Sequence, residues 1–117
     1  MEFDRYTVTL LLKRPDGPQL GEDEQAALQD AHMAHLADLA TQGHLLAAGP
    51  LFDEQYRGLS ILNVSPEQAL ALKENDPAVR AGVYSVVAMP WMLPAGAMSF
   101  SPTRFPRSMA EANNGDS

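Results

Sequence analysis

All three histidines of the chain fall within one short stretch, residues 31–50, which reads AHMAHLADLATQGHLLAAGP. Imidazole is the side chain best suited to moving protons near neutral pH, and it is also a common metal ligand. His32 and His35 are three residues apart, so on a helix they lie about one turn apart on one face. His44 follows a glycine at the start of the next segment and is interpreted as a boundary residue. The chemistry to be explained therefore concerns His32 and His35.

The helix that carries these two histidines is predicted over residues 22–42. Acidic residues in GEDE stand at its positive end, and Gly43 ends it. The residues that share a stripe with the two histidines are apolar, namely Leu28, Leu36 and Leu39. We therefore expect His32 and His35 to face the sheet, where a cationic imidazole without a partner is costly. Each is either a neutral, space-filling side chain or part of a site, and the helix alone does not decide between them.

Composition limits the classes of protein to which the chain can belong. Its 117 residues predict one domain, and no apolar run approaches the ~20 residues of a membrane-spanning helix. Cysteine is absent, which excludes disulfides and thiolate nucleophiles. The net charge of −7 would repel phosphate backbones, and the eight lysines and arginines are scattered, so nucleic-acid binding is not expected. The N-terminal MEFDRYTVTL has acids where a signal peptide needs positive charge and has no small-residue cleavage site, so a cytoplasmic location is the default prediction.

The order of the predicted elements indicates a fold class. Strands are expected at residues 3–13, 44–48, 57–64 and 83–89, and helices at 22–42 and 66–74, with one helical turn at 76–82. Strand, helix, strand, strand, helix, strand is the arrangement of a ferredoxin-like α+β sandwich, an antiparallel four-stranded sheet with two helices on one face. Because the other face of such a sheet is uncovered, we expect a second copy of the chain to cover it.

Beyond Trp91 the sequence changes character, since Pro, Gly, Ser and Asn recur without a sustained period. We predict a domain over residues 1–91 and a C-terminal tail over residues 92–117. The Met, Phe and Leu residues in the first half of the tail indicate that this half packs against a surface, with the dimer partner as a candidate. The polar end of the tail is expected to be disordered.

Two stretches of the chain resemble the signature of a known family. AHLADLATQGHLLAAGPL, residues 34–51, is similar to the pattern H-L-x-x-L…G-x-L-x-x-A-G-P of the YciI-like (YCII-related domain) proteins. NDPAVRAGVYSVVAMPW, residues 75–91, resembles the family's D-P-x-x-x-A-G-V-Y segment and the strand that follows it. The resemblance covers most of residues 3–91. It implies a ferredoxin-like fold that dimerises sheet to sheet, as in the dimeric α/β-barrel group.

The resemblance also implies an active site centred on a His–Asp pair. The family's histidine, which precedes a leucine, falls on His35, and its aspartate falls on Asp76 ahead of Pro77. His32 has no counterpart in the pattern and is interpreted as structural. Asp before Pro is by itself a good helix N-cap, and one carboxylate oxygen can cap while the other faces His35. A hydrogen bond of this kind fixes the imidazole tautomer and strengthens the second nitrogen as a general base.

The pocket around this pair is expected to bind a small molecule. The predicted lining residues are Gly49, Pro50, Phe52, Ser60 and Trp91. No serine stands in a nucleophile elbow and no glycine-rich phosphate loop is present, so proton transfer remains as the chemistry. Some YciI-like proteins resemble dehydrochlorinating enzymes. The resulting hypothesis is a cofactor-free lyase or isomerase that performs proton abstraction, elimination or dehydrohalogenation on a small cyclic or aromatic-derived metabolite.

Two other functions fit the same residues. One is a non-catalytic homodimer that binds a small metabolite in the same pocket, and the other is a structural homodimer with a vestigial site. A metal site is disfavoured, because no cysteine exists and no nearby acid on the same helix face completes a ligand set with His32 and His35. The expected partners are therefore a small-molecule substrate and a second copy of the chain, with no metal, cofactor, nucleic acid or membrane.

Overall fold

In a computed structural model, which describes residues 1–114, the chain forms a four-stranded antiparallel sheet with helices packed on one face. The strands are β1 (Phe3–Lys13), β2 (Leu45–Pro50), β3 (Tyr56–Leu62) and β4 (Tyr84–Pro94), and the helices are α1 (Glu22–Thr41), α2 (Pro66–Lys73), α3 (Pro77–Arg80) and α4 (Met109–Asn113). The sheet order is β2-β3-β1-β4, with β1 antiparallel to both β3 and β4. This confirms the ferredoxin-like α+β class predicted from the element order.

Capping residues set the helix ends close to their predicted positions. The Ser65 hydroxyl accepts a hydrogen bond from the backbone N–H of Gln68, and Pro66 occupies the first position of α2. Gly43 and Gly82 follow α1 and α3 with φ of 86° and 79°. This left-handed conformation favours glycine, so each glycine fixes where its helix ends.

The two edge strands run further than predicted. β2 continues through Gly49 to Pro50, which pairs with Gly58, and β4 continues to Pro94, which pairs with Phe3. The sequence prediction ended the first of these strands before Gly49 and Pro50, and the second at Met89, before Pro90. An edge strand tolerates proline, because its outward N–H groups have no ladder partner to lose.

Alternation along β1 divides the sheet into two different faces. Thr7, Thr9 and Leu11 are buried on the face that the helices cover, where Leu62 of β3 is also fully buried in the core. No helix of residues 1–114 covers the other face, and Val87, Met89 and Trp91 of β4 remain 40, 41 and 38% exposed on it. We call this second surface the open sheet face.

Among residues 1–114, no helix combines the length and the apolar character needed to cross a membrane.

The tail returns to α1 of its own chain. Phe105 packs against the core cluster, and Arg107 donates to Asp38 of α1 at 2.8 Å. The backbone N–H of Met109, the first residue of α4, donates to the Asp30 carboxylate at 2.9 Å. Helix α4 was not predicted from the sequence. Packing of the tail on a dimer partner stays a prediction, and residues 115–117, part of the end expected to be disordered, lie outside the described residues.

Phe105→Ala is expected to lower the free energy of unfolding by about 2 kcal/mol, less than the roughly 3–5 kcal/mol of a fully buried phenylalanine, because Phe105 is only partly buried. Urea denaturation followed by circular dichroism measures the difference. Phe52→Ala is the matched control, since the Phe52 side chain is fully exposed and should unfold like wild type. Equal midpoints for both variants would show that the tail adds nothing to the core.

Candidate active site

His32 and Asp76 are joined by a short hydrogen bond where α1 meets α3. Nδ1 of His32 lies 2.6 Å from Oδ2 of Asp76, and the other oxygen, Oδ1, accepts from the backbone N–H of Ala78 at 2.9 Å. Asp76 is fully buried and the His32 side chain is 12% exposed. Because the carboxylate is the acceptor on both sides, Nδ1 of His32 carries the shared proton and Nε2 carries the lone pair. Nε2 has no hydrogen-bond partner within residues 1–114.

The partner of Asp76 is therefore His32, which corrects the pairing with His35 implied by the resemblance. Helix α3 packs against α1 so that Asp76 reaches the histidine one turn nearer the start of α1. His35 lies beside α2 instead, and its Nε2 donates to the carbonyl oxygen of Leu72 at 3.1 Å. Burial lowers the pKa of His35, opposed in part by the charge of Asp76 and the hydrogen bond to Leu72. His35 fits the role of a neutral histidine that joins two helices.

A cleft of about 390 Å³ lies beside His32, between α1, the sheet and the tail. Apolar side chains form much of its wall, including Leu11, Met33 and Leu36. Tyr84 of β4 also lines it and meets the His32 ring edge-on, with the ring centroids 6.4 Å apart. This volume lies within the range of small-molecule sites, and a mostly apolar wall with a few polar groups is their usual composition. The free Nε2 of His32 is thus beside a space that a small cyclic molecule can occupy.

A second polar pair lies at the floor of the cleft. Nζ of Lys73, at the end of α2, donates to Oγ of Ser60 on β3 at 2.8 Å. Lys73 is fully buried and Ser60 is 5% exposed. Burial lowers the pKa of Lys73 to about 8, against the opposing effect of the Asp76 charge. Thr9 of β1 is directly opposite Ser60 in the strand pairing, and its buried hydroxyl has no hydrogen-bond partner in the described part of the chain.

Comparison with known proteins assigns the fold and the family. The model of the YCII-related domain matches residues 7–91. The chain belongs to the YCII-related domain family. A solved structure, 5-chloro-2-hydroxyhydroquinone dehydrochlorinase (TftG) from Burkholderia phenoliruptrix AC1100 in complex with 2,5-dihydroxybenzoquinone, is 23% identical, with a TM-score of 0.52 over 74% of this chain and 92% of that chain. That likeness establishes a shared fold. A search of curated proteins found no match.

Four of the five substrate-binding residues predicted from the sequence of this YCII-related domain line the cleft. They are Gly49, Pro50, Phe52 and Ser60. Trp91 is not among the lining residues. It pairs with Tyr6 of β1, and at this position of the strand its side chain points to the open sheet face. The prediction for Trp91 is corrected accordingly. The other four residues remain candidates for ligand contact.

Sequence reasoning missed several members of the YCII-related domain's site. His32 was interpreted as structural, although it shares a helix face with His35. That shared face was the one feature of the sequence that could have indicated a role for His32 in the site. Lys73 ends the run ALALK, where a lysine is ordinarily expected to reach solvent or the negative end of the helix. The tail residues of the cleft wall, Phe105, Pro106 and Met109, follow the matched domain and carry no motif.

A larger and more open depression of about 880 Å³ adjoins the cleft. The two share Gln29, Tyr84 and Met109, and the larger one is bordered by Lys13 and Arg14. Neither member of the His32–Asp76 pair lines it. Within residues 1–114, no three His, Asp or Glu side chains are grouped as metal ligands. The polar side chains that line the cleft are those of Gln29, His32, Arg57, Ser60 and Tyr84.

Proposed function

We propose that this YCII-related domain is a cofactor-free lyase that removes a proton from a small cyclic, hydroxylated substrate. The observation that carries the proposal is the 2.6 Å hydrogen bond from His32 to Asp76, which leaves Nε2 of His32 free beside the cleft. Asp76 holds the imidazole in one tautomer, as the third group of a catalytic triad does, and it balances the charge of the imidazolium that forms. His32 is the catalytic base and Asp76 its positioning residue.

The reaction class that fits is an elimination. In the cyclohexene-dione tautomer of a chlorinated hydroquinone, the carbon that bears the halide and the carbon next to it are both tetrahedral. Nε2 of His32 takes the proton from the carbon next to the halide, which is acidic because it lies beside a carbonyl, the electron pair of the broken C–H bond forms a ring double bond, and the halide leaves the adjacent carbon with its bonding pair. The imidazolium then returns its proton to water. No external oxidant or reductant is needed, because the halide accepts the electron pair. Isomerisation uses the same first step, with the proton returned to another atom of the substrate.

The comparison with TftG supports the substrate class. That protein is named as a dehydrochlorinase, and its structure holds 2,5-dihydroxybenzoquinone. Dehydrochlorination is an elimination of the kind just described. A six-membered ring with a few oxygen substituents is also small enough for a cleft of about 390 Å³.

Chloride release tests the proposed activity. Purified protein is incubated with 5-chloro-2-hydroxyhydroquinone and other chlorinated hydroquinones, and free chloride is measured against buffer alone. Release above the buffer rate by wild type supports a lyase. If these compounds bind but release no chloride, and no isomerised product forms, the alternative function is supported, namely a non-catalytic dimer that holds a small metabolite in the same cleft.

We further propose that a second copy of the chain covers the open sheet face. Val87, Met89 and Trp91 are large apolar side chains that no element of the described chain buries. Met89→Glu places a charge in the middle of this face and is expected to convert a dimer into a monomer. Light scattering at micromolar concentration measures the mass, with the exposed helix variant Ala71→Glu as control. A monomeric wild type would contradict this proposal.

The cytoplasmic location stays a prediction from the sequence.

A further inference from the structure

Lys73 is the largest fully buried side chain among residues 1–114. Its ammonium group has three N–H donors, and the described part of the chain supplies one acceptor, the Ser60 hydroxyl at 2.8 Å. Within the described part of the chain, no carboxylate lies within salt-bridge distance of Nζ of Lys73. Burying a cation with so little compensation costs stability, and an apolar side chain of the same length would be cheaper. Strong desolvation of this kind at a cleft is typical of functional groups.

Ser60 connects this buried charge to the cleft. It lies on β3 between Thr9 of β1 and Ala48 of β2, and it lines the cleft floor. Its oxygen accepts from Lys73, whereas its own O–H donates to no acceptor within residues 1–114. A hydroxyl that accepts from a cation becomes a stronger donor, because the positive charge polarises the O–H bond. The cleft floor thus holds a strong donor without a protein acceptor.

We propose that Ser60, polarised by Lys73, binds a negatively charged oxygen of the ligand, of the enolate or phenolate class. Lys73 acts through Ser60 and is a positioning residue. The inference rests on the proposed function in taking the cleft as the ligand site, but it requires no turnover. In an elimination, the same donor would stabilise the oxygen on which charge accumulates as His32 removes the proton.

The opposite assignment makes neutral Lys73 a base that activates Ser60 as a nucleophile. That role requires the lysine to have lost its proton. The charge of Asp76 opposes this loss, and a pKa of about 8 leaves most of the lysine protonated at pH 7. The charged donor is therefore the state favoured at neutral pH. Covalent labelling distinguishes the two assignments, because an activated serine reacts with diisopropyl fluorophosphate and a donor hydroxyl does not.

Two ligands of similar shape test the proposal. 2,5-Dihydroxybenzoquinone is a vinylogous acid that is ionised at neutral pH, whereas 2,5-dimethoxybenzoquinone has no acidic hydroxyl. Ser60→Ala and Lys73→Met are each expected to weaken binding of the dihydroxy compound by about 10- to 100-fold, because a hydrogen bond to a charged oxygen is lost. Binding of the dimethoxy compound, which has no such oxygen, should stay within about threefold of wild type. Titration calorimetry measures both dissociation constants. Ser85→Ala, an exposed serine on β4, is the matched control.

Stability separates positioning from structural support. Lys73→Met keeps the volume and removes the buried charge, so its thermal midpoint should equal or exceed that of wild type. The inference is overturned if both variants weaken the two quinones equally, if wild type fails to bind the dihydroxy compound, or if diisopropyl fluorophosphate labels Ser60. Selective binding of the dihydroxy compound without any chloride release or isomerisation would uphold the inference and refute the proposed lyase activity. Chloride release or isomerisation without selective binding would uphold the lyase activity and refute the inference.

Discussion

His32→Ala is expected to lower the rate of the proton-transfer step by about 100- to 10,000-fold, the contribution usual for a positioned general base. The reason is geometric: Nε2 of His32 is free and lies beside the cleft, while Nδ1 is held by Asp76 at 2.6 Å. Single-turnover chloride release measures this step without product release. His35→Ala is the matched control on the same helix face. It should lose far less activity, because its Nε2 is bound to the Leu72 carbonyl and burial lowers the pKa of His35.

The assignment of the base depends on this contrast. Both variants must first show the far-ultraviolet circular dichroism spectrum of wild type, since each removes a partly buried ring. An equal loss in the two variants would contradict the assignment to His32 alone. A loss confined to His35→Ala would restore the pairing implied by the H-L motif.

Asp76→Asn is expected to cost about 10,000-fold in rate while leaving the fold intact, by analogy with the corresponding change in serine-protease triads. The amide oxygen can still cap α3 through the Ala78 N–H. The amide nitrogen then donates to Nδ1 of His32, which moves the imidazole proton to Nε2. A base whose lone pair is turned away from the cleft cannot accept the substrate proton.

Asp76→Ala supplies the comparison for stability. It removes the N-cap of α3 and should lower the free energy of unfolding by about 1 kcal/mol, whereas Asp76→Asn should not. Nitrogen-15 NMR of the imidazole ring identifies the tautomer directly, and urea denaturation gives the stability. An Asp76→Asn protein with normal turnover, or with the proton still on Nδ1, would refute the positioning role.

Local signals in the sequence were sufficient for most of the fold. Ser65 with Pro66 predicts the start of α2, and Gly43 and Gly82 predict the ends of α1 and α3, because capping depends on a few adjacent residues. The lengths of β2 and β4 were underestimated. Whether a proline ends a strand depends on which neighbours the strand has in the sheet, and that is a property of the whole fold.

The candidate site was predictable in part. Asp76 and the cleft residues at the end of β2 followed from motifs, and Asp76 is found in its expected role as an N-cap. The identity of its histidine partner was not predictable, because His32 and His35 share a face and only the packing of α3 against α1 selects between them. Lys73 was missed for a related reason: the burial of a helix-terminal lysine is decided by the sheet beneath it.

The tail that follows the matched domain has a consequence for how molecules of this type diversify. Residues 7–91 carry the His32–Asp76 pair, while Phe105, Pro106 and Met109 line one wall of the cleft from outside that range. On the proposed function, the proton acceptor therefore lies within the matched domain, while part of the wall that limits the size of the ligand lies beyond it. Grafting a different C-terminal extension onto the same scaffold would alter the size of compound admitted and leave the proton acceptor untouched.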